Sequence, residues 1–154
     1  MSTARVHAIF VGGDREAPLT GIQEVEAKAG LGLVGDRYFK GGSGTFGRKW
    51  DESRAVTLIE KEAIDAANRS YDVDLAEGDP RRNIVTTGVA LNHLVDKEFT
   101  VGDVRMRGVK LCEPCTYLEG LTEPGVKKAL IHRGGLRAEI VSDGTITVGA
   151  PISI

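Results

Sequence analysis

Cysteine, aromatic residues and net charge are all scarce in this chain. Two cysteines in 154 residues exclude a secreted disulfide scaffold and point to reduced thiols in the cytoplasm. A formal net charge of -2 argues against a general nucleic-acid binder, whose domain would be basic. No apolar run approaches the length of a membrane span. The N-terminus, Met1-Ser2-Thr3-Ala4-Arg5 before His7, lacks the long apolar stretch of a secretory signal. No repeat, low-complexity tract or linker divides the sequence, so one domain over 1–154 is expected. Neither nucleic acid nor membrane is expected as a partner.

Glycine is abundant instead. There are 20 glycines, while aromatics make up only 5% of the chain. Ordered glycine costs backbone entropy, so this many implies frequent turns and bulges between short strands. Strand patterns run over Val6–Val11, around Val25, Ala27 and Ala29, over Ala55–Ile59 and Ile84–Thr86, and over Phe99–Val101 and Val104–Leu111. Leu136–Val141 and Thr145–Val148 flank Asp143-Gly144, which predicts a closing hairpin with a type I′ turn. Ala63, Ile64, Ala67 and Tyr71 share one face of a helix predicted over Glu60–Tyr71. A short helix is predicted over Val126–His132, and a single turn around Leu91–Val95. Seven or eight strands and two helices, without regular βαβ alternation, predict a mostly β fold: an antiparallel barrel with peripheral helices.

Four stretches carry candidate chemistry. Gly42-Ser43-Gly44-Thr45-Phe46-Gly47 spells GxGxxG, but a dinucleotide fingerprint needs a strand before it and a helix after it. Its flanks supply neither, so the stretch reads as a loop. Cys112-Glu113-Pro114-Cys115 is a CxxC at a strand end. A thioredoxin-like redox pair, a single reactive thiol and two packed small residues are all open readings. A zinc site needs four ligands, of which one CxxC gives two, and His7, His93 and His132 show no ligand spacing. Arg81-Arg82-Asn83 follows a proline turn. Strand alternation would send the two arginines to opposite faces. A phosphate, or an internal carboxylate such as Asp36 or Glu60, would satisfy the one turned inward. His132-Arg133-Gly134-Gly135-Leu136-Arg137-Ala138 leaves a helix and enters a strand. His132 and Arg133 suit a helix C-terminus, and Arg137 is the better ligand candidate.

In their order along the chain, these pieces resemble the MOSC domain, the C-terminal domain of molybdenum cofactor sulfurases, in its small stand-alone bacterial form. The resemblance rests on Gly30-Leu31-Gly32-Leu33-Val34-Gly35-Asp36-Arg37, Thr57-Leu58-Ile59-Glu60 and Arg81-Arg82-Asn83-Ile84-Val85-Thr86-Thr87-Gly88-Val89. It continues through Leu91-Asn92-His93-Leu94, Phe99-Thr100-Val101-Gly102, the Cys115 segment, Gly134-Gly135-Leu136-Arg137-Ala138 and Ile146-Thr147-Val148-Gly149.

The resemblance implies a β-barrel and a molybdenum cofactor, a molybdopterin, as ligand. Cys115 matches the signature cysteine, as persulfide acceptor or molybdenum ligand. Cys112 is not required by the family pattern. Arg37, Arg81, Arg82, Asn83 and Arg137 are the expected cofactor-binding residues, and a loop over 41–47 is expected to close over the ligand. Two enzymatic roles are open. One is sulfur carriage with a cysteine desulfurase, a pyridoxal-phosphate enzyme. The other is reduction of N-hydroxylated compounds with a flavin or iron–sulfur electron donor. A non-catalytic cofactor-binding module and a CxxC thiol redox protein are the alternatives. Neither donor system fits beside a barrel in 154 residues, so a partner protein is expected to supply it.

Overall fold

A computed structural model describes residues 4–14, 16–40 and 51–154. The first strands are β1 (Arg5–Val11), β2 (Thr20–Ile22), β3 (Glu24–Lys28) and β4 (Gly32–Leu33). Then come β5 (Val56–Glu60), helix α1 (Lys61–Ser70), β6 (Ile84–Thr87), β7 (Glu98–Val101) and β8 (Val104–Leu111). Helices α2 (Thr116–Leu121) and α3 (Val126–Ala129) precede β9 (Leu136–Ile140), β10 (Gly144–Thr147) and β11 (Ile152–Ser153).

Eight strands form one sheet in the order β11-β7-β8-β9-β5-β6-β1-β2, and β10-β3-β4 form a second. Every pairing is antiparallel except β5 with β6, which α1 connects as a crossover. The large sheet curls until β1 meets the β11 end. Val6 N donates to Ala150 O at 2.9 Å, Gly149 N to Val6 O at 2.8 Å and Ile152 N to Ala4 O at 3.0 Å. Of the large sheet's strands, this closure leaves β2 outside the ring, and the result is the barrel the strand pattern predicts.

The barrel contains one apolar core and its outer wall carries another. Val56, Leu58, Ile84, Leu136 and Ala138 point inward with Met106 and Val104. Ile59 and Val85, one residue out of phase, point outward onto Ile64 and Ala67 of α1 and onto Leu118, Val126 and Leu130. Strands β5 and β6 are thus covered on both faces, which is why they read as continuous apolar runs.

Three sequence expectations change. The predicted hairpin is absent: β10 pairs with β3 rather than with β9. A type I′ turn needs positive φ at both central residues, and neither Asp143 nor Gly144 has it. Instead the Asp143 carboxylate accepts from Ala29 N at 2.7 Å, which pulls the segment onto the second sheet. Tyr71 does not join the buried face of α1. It follows the last helical residue and stands exposed, after the backbone has left the helix. The helix expected over Val126–His132 ends at Ala129: Leu130 has already left helical geometry at φ −108° and ψ 6°, and His132 then takes φ 62°.

Candidate functional site

The site grows from three neighbouring strands. Thr57 on β5 faces Arg137 on β9, and Arg137 faces Lys110 on β8. A bulge between Gly108 and Lys110 shifts the register just before this row. Gly108 is required there, because a Cβ would collide with the Leu94 carbonyl packed against the bulge. Two cations side by side on adjacent strands repel each other, and both open into one cavity. That cavity measures about 620 Å³. Among the described residues, five arginines (37, 54, 81, 82 and 137) and Lys110 line it against one carboxylate, Glu113. Cys112 and Cys115 both border it, with Tyr38, Tyr117 and Leu121.

The Cys112–Cys115 segment is held from behind by the His132–Gly135 loop. Cys112 N donates to Gly135 O at 2.7 Å. The Glu113 carboxylate accepts from His132 N at 2.7 Å and contacts the His132 ring Nδ1 at 2.8 Å. Gly134 lets the two segments touch: a Cβ there would collide with Cys112 O and stand 2.8 Å from Pro114 Cδ. The two motifs, twenty residues apart in sequence, form one unit. Cys112 is half-buried and Cys115, immediately before α2, is exposed.

The structure brings four of the five expected arginine and asparagine residues to the cavity. Arg37 is buried, pairs with Asp36 at 3.4 Å and lies 4.6 Å from the Tyr38 ring centroid. Arg81 and Arg82 both reach the cavity, which alternation did not predict. Neither lies on β6, and Arg81 takes φ 65°, so the period-two rule does not apply to them. Arg81 donates to Ala17 O at 2.6 Å.

Arg82 braces the backbone. Its Nε donates to Gly134 O at 2.7 Å, one terminal nitrogen to Cys112 O at 3.1 Å and the other to Pro80 O at 3.2 Å. The suggested pairing of these arginines with Asp36 or Glu60 gives way to shorter routes: Asp36 pairs with Arg37, and Glu60 with Arg133 at 3.3 Å. Asn83 does not line the cavity. Its Oδ1 accepts from Thr57 N at 3.1 Å and its Nδ2 donates to Phe10 O at 3.1 Å, so it locks β5 to the loop before β6. The expected loop over 41–47 lies outside the described residues.

Arg137 stands apart. No hydrogen bond or ion pair engages its guanidinium among the described residues, although it is half-buried. Burial first, and then the neighbouring Arg54, hold it below the usual arginine range. Arg81 is pushed the same way, by burial and then by Arg37. Two pairs of mutually repelling guanidinium groups therefore face one cavity in a chain of negative net charge. An anion placed between them relieves both the desolvation and the repulsion. Arg54, Lys110 and Cys112 were missed as cavity residues. Lys110 lies at the end of β8 and Cys112 just beyond it, while Arg54 sits in a 3-10 turn over Glu52–Arg54, too short for any period to show.

A curled, mostly antiparallel barrel with a cation-lined cleft and two thiols at its wall defines the class of protein. The chain belongs to the MOSC domain family, whose profile matches residues 33–153. That family is associated with the molybdenum cofactor. The YuaD protein from Bacillus subtilis has a similar fold, with a TM-score of 0.81 at 13% identity over 97% of this chain and 93% of that one. YiiM from Geobacillus stearothermophilus follows at TM-score 0.72 and 18% identity, over 97% of this chain and 74% of that one. YiiM from Escherichia coli gives 0.65 and 16%, over 99% and 68%. No curated protein sequence matches the chain. Among the described residues, no helix is long and apolar enough to cross a membrane.

Proposed function

We propose that the cleft receives a molybdopterin-type cofactor and that Cys115 carries sulfane sulfur to it. The observation that supports this reading most is the half-buried Arg137, which makes no hydrogen bond or ion pair among the described residues, set between Arg54 and Lys110 in the cavity that Cys115 borders. A pterin phosphate is an anion of suitable size for a cavity of about 620 Å³, and guanidinium groups suit phosphate by their planar fork of donors. Among the described residues, no group of three or more His, Cys, Asp and Glu side chains could hold a bare metal ion. A donor set of this kind fits a metal that arrives on its own organic ligand, with one thiolate added by the protein.

When bound, such a cofactor supplies a molybdenum centre able to take a terminal sulfur. This chain's residues would do the rest. Arg54, Arg137 and Lys110 bind the anionic end, and Arg37 and Arg81 extend the positive wall. Arg82 holds the Cys112 carbonyl at the start of the Cys112–Cys115 segment. The exposed Cys115 thiolate attacks the outer sulfur of a desulfurase persulfide. The desulfurase thiolate leaves and Cys115 becomes the persulfide, so sulfur moves with no net change in oxidation. A partner desulfurase supplies that sulfur.

Titration with inorganic pyrophosphate tests the anion site. Wild-type protein is expected to bind it and to melt at a higher temperature in its presence. Arg137→Ala should weaken binding about ten- to a hundredfold, the worth of one charged hydrogen bond of about 1.5–3 kcal/mol. Its melting temperature without ligand should stay near wild type, because the guanidinium holds no other described group. Equal affinity in Arg137→Ala would place the anion elsewhere. On the sulfur side, incubation with a cysteine desulfurase and cysteine should add about 32 Da at Cys115. Stoichiometric molybdenum with no sulfur adduct would assign Cys115 to metal ligation instead.

A further inference from the structure

We propose that the anion received by this cleft carries a guanine nucleotide on its phosphate, and that the guanine enters a second compartment on the far side of Arg81. This inference deepens the reading of the cleft as a pterin-phosphate site and rests on it. The second cavity measures about 280 Å³ and shares Arg81 and Leu121 with the first. Among the described residues, Arg81 is the one cation that lines it, and neither cysteine does. The sulfur chemistry therefore leaves this compartment unused.

Its walls come from two segments that are already fixed. One supplies Glu16, Pro18 and Leu19, and the other supplies Asp79 and Arg81. In the first, Asp14 Oδ1 accepts from Glu16 N at 2.8 Å and from Ala17 N at 3.3 Å. In the second, Ala76 N donates to the Asp79 carboxylate at 2.9 Å, and Asp79 N donates to Ala76 O at 3.1 Å. Gly78 lies close against the Phe10 ring, since a Cβ there would stand 3.0 Å from two ring carbons. Arg81 ties the two segments together by donating to Ala17 O at 2.6 Å. It does so from a left-handed backbone, φ 65°, a conformation that clusters at ligand clamps. Its side chain is buried and lines both cavities.

The two compartments want different ends of one ligand. The first is rich in guanidinium groups and takes the phosphates. Arg81 stands at the boundary, where a diphosphate leaving the first compartment must pass. In the second, Glu16 and Asp79 repel a phosphate, while Phe10, Pro18 and Leu19 offer apolar surface. That combination suits a flat, uncharged group whose edge carries N–H donors. Guanine presents its ring N1–H and its exocyclic amine side by side, and one carboxylate accepts from both. Adenine and cytosine place their amine beside a bare ring nitrogen, whose lone pair a carboxylate repels.

Titration calorimetry of the full chain with inorganic pyrophosphate, GDP, ADP and CDP tests this. GDP should bind about tenfold or more tightly than pyrophosphate, ADP or CDP, the worth of one charged hydrogen bond. The double variant Glu16→Gln/Asp79→Asn should lose that preference for GDP over ADP. The ratio of the two affinities is the readout, because a change in overall charge moves both alike. Both positions are exposed, and an amide oxygen at position 79 still accepts from Ala76 N, so the melting temperature should hold. Pyrophosphate binding with no gain from GDP would overturn the second compartment and leave the anion site standing. A preference for GDP that survives in the double variant, or equal binding of all three nucleotides, would overturn the role of the carboxylates and the choice of guanine. Binding of neither pyrophosphate nor GDP would overturn the anion site, and this inference with it.

Discussion

Arg82→Ala is expected to lower the stability of the unliganded protein by about 2–4 kcal/mol. In a domain of this size that amounts to a fall in melting temperature of about 5–15 °C. The side chain donates from all three nitrogens to backbone carbonyls of Gly134, Cys112 and Pro80. Those carbonyls belong to three segments separated in sequence. Removing one partner leaves the acceptors without a bond, which costs more than the bond itself contributed. Arg82→Lys should recover part of the loss, because an ammonium supplies a point charge but not the fork that spans three carbonyls. Circular dichroism melts of the three proteins, without ligand, check this. Unchanged melting in Arg82→Ala would show that the guanidinium is a ligand group and not a brace.

Cys115→Ser is expected to abolish sulfur uptake from a cysteine desulfurase. A hydroxyl has the size of the thiol but forms no persulfide, so the loss is complete rather than graded. Stability should stay within about 0.5 kcal/mol of wild type, the usual range for an exposed position. Cys112→Ser should load sulfur as readily as wild type. Loading of Cys115→Ser at the wild-type rate, followed by mass spectrometry of the cysteine peptide, would move acceptance to Cys112. Selective alkylation gives an independent check: the exposed Cys115 should react before the half-buried Cys112.

Much of the fold is legible where one physical pattern dominates. The alternation in β7 and β8, the apolar run of β5 and the face of Ala63, Ile64 and Ala67 on α1 each depend on local sequence and appear as expected. The closing hairpin is not legible, because its outcome depends on a carboxylate from Asp143 reaching Ala29, more than a hundred positions away. The short strands β2, β4 and β11 have two or three residues each, too few for any period to show.

The site divides along the same line. Cys115, Arg37, Arg81, Arg82 and Arg137 can be picked out as polar groups in glycine- or proline-bounded segments, and all five border the cavity. Their separate tasks are not readable from sequence. Arg82 and Asn83 stand next to each other in one motif, yet one braces the backbone at Cys112 and the other bolts β5 to the chain before β6. Arg81 escapes the alternation rule only because its backbone is left-handed, a conformation uncommon outside glycine and asparagine.

The account stands or falls on whether this cleft holds an anionic pterin. Protein purified from a molybdenum-replete host, oxidised to release a fluorescent pterin and assayed for molybdenum, measures that directly. The account predicts pterin bound in proportion to protein in the wild type, and a loss of about tenfold or more in Arg137→Ala. Pterin at the same level in wild type and in an Arg54→Ala/Arg137→Ala double variant would contradict it.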